Sequence, residues 1–132
     1  MYLVISTLPH FCSILPLVKY YKTHTFRYIN VILLSTVFSI LYHTFEESNN
    51  TITNIDYFCA GLWLGYDMYM GFTYTDRKTM VKIMFVNTLS FLINILIPYN
   101  AYYPLNHSLW HLLNAYKCYY VSTLIRIGLE SL

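Results

Sequence analysis

Tyr28-Ile-Asn-Val-Ile-Leu-Leu-Ser-Thr-Val-Phe-Ser-Ile-Leu-Tyr-His-Thr-Phe45 runs through its whole length without an Asp, Glu, Lys or Arg. A helix of that length rises ~27 Å, close to the ~30 Å hydrocarbon thickness of a bilayer. Backbone in hydrocarbon must satisfy its own N–H and C=O groups, which a helix does. The stretch therefore reads as a membrane-spanning helix. Four further apolar stretches flank it: residues 1–18, 55–72, 80–97 and 105–127, separated by short polar breaks. The pattern predicts an all-α polytopic transmembrane bundle of about five spanning helices. Residues 1–132 are expected to form a single integral-membrane helical domain.

Composition agrees. The chain is 57% hydrophobic and 11% charged, against the ~25% charged residues of soluble domains. A net charge of +2 with no basic tract excludes a nucleic-acid footprint. Fifteen tyrosines and two tryptophans suit the two membrane interfaces. Cys12, Cys59 and Cys118 lie far apart in apolar segments with no CxxC, and read as small buried hydrophobes.

The first stretch reads as an uncleaved helix, since its basic residues Lys19 and Lys22 follow the apolar run. Pro9 and Pro16 are expected to bend or end it. With five alternating spans, Lys19, Lys22, Arg27, Arg77, Lys78, Lys82 and Arg126 fall on one side. The positive-inside rule puts that side, and the carboxyl terminus, in the cytosol. The amino terminus is then lumenal or extracellular, with Glu46, Glu47 and the sequon Asn49-Asn50-Thr51 on the same side.

Against this apolar background five polar residues stand out: Ser39, His43, Asp56, His107 and His111. Ser39 and His43 are four apart, as are His107 and His111, and such pairs share a helix face. The alternating topology carries all five to the non-cytosolic ends of their helices. Three imidazoles with one open position form a common catalytic zinc arrangement. His107-Ser-Leu-Trp-His111 has the ligand spacing of HExxH metalloproteases without their glutamate, so a base must come from elsewhere, and Asp56 is the nearest by topology. His10 and His24 fit no such pattern and are read as interfacial. Deeper in the bundle, Asp67 on the third helix and Lys117 on the fifth are expected at similar depth and to pair there. Asn87, Ser90, Asn94 and Asn114 are candidates for a polar interior, although interhelical hydrogen bonding is the commoner role of such residues. Residues 99–103, ahead of Pro104, read as an interfacial loop.

The ordered pattern Ser39-x3-His43, Asp56, His107-x3-His111 resembles that of the CREST superfamily of membrane hydrolases. The superfamily includes alkaline ceramidases, progestin and adipoQ receptors, and the Per-one-like and TMEM-eight-like proteins. The resemblance spans residues 39–111. It implies Zn2+ held by His43, His107 and His111, with Asp56 holding and activating the attacking water and Ser39 supporting either the site or the oxyanion. It further implies hydrolysis of an amide or ester bond in a membrane lipid. The family core has seven helices, so this chain reads as a shortened member, two helices short between Asp56 and His107. It also lacks the acidic, tryptophan-containing amino-terminal segment of the ceramidases. The competing expectation is a zinc-stabilised receptor or structural membrane protein without turnover, with Glu46 or Glu47 as a fourth ligand; a small channel or transporter component is a third. A second copy of the chain is a further expected partner, completing the lipid chamber.

Overall fold

The computed structural model describes residues 2–21, 25–45, 50–97 and 102–132, and each apolar stretch of the sequence is helical in it. Helix α1 (Tyr2–Thr7) continues directly into a 3-10 helix (Leu8–Tyr20). Helices α2 (Phe26–Thr44), α3 (Asn50–Tyr74), α4 (Arg77–Leu96) and α5 (Tyr103–Glu130) follow, with no strand among the described residues. The all-α class expected from the sequence is the one observed. His24, Glu46, Glu47, Asn49 and most of the 99–103 loop lie outside the described residues, so the interfacial His24, the extra ligand, the sequon and the loop fall there.

The α-helix ends at Thr7, ahead of Pro9 as expected, but helical winding continues past both prolines. Pro9 stands at the start of the 3-10 helix and Pro16 inside it. Each lacks the N–H that an α-helix gives to the carbonyl four residues back, and its ring crowds that carbonyl. The chain answers by winding more tightly rather than stopping. A 3-10 helix rises ~2.0 Å per residue against ~1.5 Å for an α-helix, so α1 and its extension together rise ~35 Å. A short segment thereby gains the reach of a full span.

Helix α3 begins at Asn50, ahead of the expected start at residue 55. Hydropathy marks where hydrocarbon begins, and a helix can run past it into a polar layer. At the other end Asp76 caps α4, its carboxylate accepting from the Thr79 N–H at 2.7 Å. That hydrogen bond, joined by the Thr79 hydroxyl, holds the Asp76 carboxyl below its ordinary range. Leu3–Tyr20, Phe26–Thr44 and Arg77–Leu96 are long and apolar enough to cross a membrane. α3 and α5, at 25 and 28 residues, have the length but carry Asp56, Asp67, His107, His111 and Lys117.

The helices close into a ring. The first segment packs on α2, α2 on α3, α3 on α4, α4 on α5, and α5 returns to the first segment. The backbones of α2 and α5 face each other without direct packing. One half of the ring is filled by Leu17, Tyr28, Ile32, Met70, Val121 and Ile125, all fully or almost fully buried. The outward surface is lined with exposed large apolar side chains such as Leu15, Phe58, Phe72 and Phe85, which hydrocarbon solvates and water does not. Cys59 and Cys118 are buried as expected, but Cys12 is exposed on that outer surface. Apolar sequence context cannot tell a side chain facing lipid from one facing the core, because both environments are apolar.

Gly128 of α5 lies so close to α3 that a Cβ there would stand 2.0 Å from the Tyr74 carbonyl oxygen. A Cβ on Gly65 would meet nothing within 4 Å. Gly128→Ala is expected to destabilise the bundle by about 1–3 kcal/mol through overpacking. Gly65→Ala should hold or raise stability, since alanine favours helix over glycine by ~0.8–1.0 kcal/mol. Thermal denaturation of the two variants in detergent checks the contrast.

Candidate metal centre

His43 sits in the last turn of α2, and His107 and His111 in the second and third turns of α5. The i, i+4 spacing puts the two α5 imidazoles on one face, as the sequence requires. Because α2 and α5 face one another across the ring, His43 reaches them from the opposite wall. His43 Nε2 and His111 Nε2 are 2.9 Å apart, which requires one nitrogen to carry a proton and the other a lone pair. All three histidines are buried.

One ligand nitrogen from each of the three lies within 4.8 Å of the others. Zinc binds imidazole nitrogen at about 2.0–2.1 Å, so two ligands of one ion stand at most ~4 Å apart. Small side-chain adjustments bring the trio into that range. His111 Nδ1 is buried with no hydrogen-bond partner among the described residues, leaving that ring able to turn either nitrogen to an ion. Three neutral nitrogen donors in a buried pocket suit a borderline-soft divalent cation. The residues present fit a metal ion.

Aromatic packing sets the orientation of His107. Tyr103 stacks on it with ring centroids 4.9 Å apart, and Trp110 at 5.3 Å. The Trp110 indole donates to the Ser90 carbonyl of α4 at 3.2 Å, which ties this face of α5 to α4.

The three histidines open onto a cavity of about 540 Å³ that Ser39 and Asp56 also line. All five singled-out residues thus meet in one space. Asp56 is buried there and Ser39 half-buried. Asp56 belongs to the second turn of α3 and not to its first residues, because α3 starts earlier than expected.

His10 is a correction. Expected at an interface, it is buried and lines the same cavity. Its ring lies edge-on to His111 with centroids 5.7 Å apart. His10 Nδ1–H donates to the Thr7 carbonyl at 2.8 Å, so its Nε2 accepts from the Asn114 amide at 3.1 Å. Asn114 Oδ1 in turn accepts from the Ser90 hydroxyl at 2.8 Å. Both ring nitrogens of His10 are therefore engaged, which makes it a support for the centre and not a ligand. A depth count finds it: His10 is eight residues from the start of α1 and Asn114 eleven from the start of α5, and 3-10 winding stretches the shorter count.

The expected Asp67–Lys117 pair is present, Lys117 Nζ standing 3.7 Å from Asp67 Oδ2. The Tyr28 hydroxyl donates to Asp67 Oδ1. Lys117 Nζ donates to Asn87 Oδ1 at 2.9 Å, and the Asn87 amide donates to the Ile83 carbonyl at 3.1 Å. Asn87, Ser90, Asn94, Asn114 and Lys117 all line the cavity, so the polar interior expected from the sequence is there.

Comparison of the chain with protein-family models, with curated proteins and with solved structures found no match. Protein purified in mild detergent is expected to carry close to one equivalent of metal per chain. His107→Ala and His111→Ala should each lower that at least tenfold, read by elemental mass spectrometry on freshly purified samples.

Proposed function

We propose that this protein is an intramembrane zinc-dependent hydrolase that cleaves an amide or ester bond in a membrane lipid. The observation carrying this reading is that Ser39, His43, Asp56, His107 and His111 line one cavity. Three imidazoles leave an open position for chemistry, as catalytic zinc sites do and structural sites do not. The ordered motif adds its resemblance to the CREST hydrolases, of which this chain would be a reduced member.

His43, His107 and His111 would hold the ion. When bound, zinc supplies Lewis acidity toward a carbonyl and a water. The Asp56 carboxylate takes a proton from the attacking water as its oxygen bonds to the carbonyl carbon. The same proton then passes to the leaving amine or alcohol as the C–N or C–O bond breaks. The Ser39 hydroxyl donates to the carbonyl oxygen while charge gathers there. The surrounding helices exclude bulk water and admit substrate from the bilayer.

In this reading all five helices span the membrane, α3 and α5 turning their polar faces inward. The basic residues then lie in the cytosol and the centre near the opposite, lumenal or extracellular face. The closed ring of helices lets one chain enclose the centre; a homo-oligomer would enlarge the chamber without supplying ligands.

Asp56→Asn separates turnover from metal binding. In proteoliposomes carrying a fluorogenic acyl lipid, it is expected to lower hydrolysis by about 10²–10⁴-fold, the usual worth of a general base. Metal content should stay at the wild-type level. Wild type that holds zinc yet hydrolyses neither amide nor ester lipids would favour the zinc-stabilised, non-catalytic protein instead.

A further inference from the structure

The cavity has a second chemical centre at its inner end. Lys117 lines it six residues past His111 on α5, ~9 Å deeper along the helix axis. Among the described residues lining the cavity, it is the one lysine or arginine. An ammonium at this depth is expensive in a membrane and is read by default as functional.

Its pairing is incomplete in a particular way. The 3.7 Å gap to Asp67 Oδ2 is too long for a hydrogen bond. Asp67 Oδ2 has no hydrogen-bond partner among the described residues. Lys117 gives its short hydrogen bond to the neutral Asn87 oxygen instead. Asp67 is fully buried and does not line the cavity. The cavity therefore faces the cation, while the balancing anion sits behind it.

The walls near Lys117 carry the Asn87 and Asn114 amides and the Ser90 hydroxyl. These groups are bonded within the protein, so the Lys117 ammonium is the group that a hydrocarbon tail there would desolvate without a compensating hydrogen bond. The apolar part of the lining is elsewhere: Ala60, Gly61 and Leu64 of α3 and Phe91 of α4. At Gly61 the missing side chain leaves open space, with nothing within 4 Å of a built Cβ. Tails have a natural exit on that side.

We propose that Lys117 anchors an anionic phosphate headgroup, so that the lipid enters head first. The headgroup then rests at the inner end, the scissile carbonyl lies at the histidines, and the acyl chains leave past Gly61 between α3 and α4. This deepens the proposed function by naming its substrate class, a phosphate-bearing acyl lipid, and it rests on a lipid being the cavity's occupant.

The test reads binding without turnover. Full-length protein in nanodiscs containing equal amounts of the non-hydrolysable, ether-linked analogues of dioleoyl phosphatidate and dioleoylglycerol is released for native mass spectrometry, with zinc measured on the same sample. Wild type is expected to retain phosphatidate at least tenfold over dioleoylglycerol. Lys117→Met should reduce that ratio to near one. The double variant Asp67→Asn/Lys117→Met removes both charges, avoids a lone buried carboxylate, and carries the test if the single variant does not fold. Equal retention of the two lipids by wild type overturns the proposal, as does an unchanged ratio in the variants. Displacement of phosphatidate by millimolar inorganic phosphate overturns the headgroup assignment in favour of a free-anion site. Zinc content and hydrolysis are scored separately, so failure here leaves the hydrolase reading standing, and loss of the hydrolase reading leaves this result interpretable.

Discussion

The Asp67 carboxylate is the constraint around which the rest of the bundle is arranged. It is fully buried, with the Tyr28 hydroxyl of α2 on one oxygen and the Lys117 ammonium of α5 near the other. Through Lys117 it reaches Asn87 of α4. One buried carboxyl group on α3 thereby ties down the rotation of three neighbours, because a helix turned away would leave a polar group facing apolar surroundings. Insertion scales put a charged side chain at the centre of a membrane helix near +2.5 to +3.5 kcal/mol. Such a group persists only where neighbours satisfy it, so it specifies the packing more than it stabilises it.

The ring that results is filled by the apolar core over one half and open over the other. α2 and α5 look at each other across open space, and His43 and His111 meet there. A metal ion between them would add to the side-chain contacts that join α2 and α5, whose backbones stay apart. That gives the centre a structural effect alongside any chemical one. The aromatic stack of Tyr103, His107 and Trp110 supports the α5 side, and the His10–Asn114–Ser90 hydrogen-bond chain braces the same helix against the first segment and α4.

The cavity has three histidines at one end and an ammonium at the other, set among apolar side chains. Its polar groups come from every helix of the ring, so no single helix reads as strongly amphipathic. α3 carries Asp56 and Asp67, and α5 carries His107, His111 and Lys117, and these two helices fall outside the apolar composition that marks the other three.

Much of this was legible in the residues. Hydrocarbon imposes helices and their approximate length, so the five helical stretches followed from composition alone. The i, i+4 spacing put His107 and His111 on one face, and counting residues put Asp67 level with Lys117. Other features required the folded chain. Prolines 9 and 16 could have ended the first helix; only packing against α5 and α2 shows that it winds on as a 3-10 helix. His10 joins the centre because that winding stretches its depth to match Asn114. Cys12 and Cys118 sit in equally apolar sequence, yet one faces outward and the other the core, since lipid and protein interior are alike to a local pattern. The sequence by itself determined that this is a helical bundle with histidines at one end. The tertiary structure alone decided that the ring closes around a cavity, and that Lys117 faces into it while Asp67 lies behind. Those depend on how each helix is rotated about its axis, which is set by contacts between residues far apart in the chain.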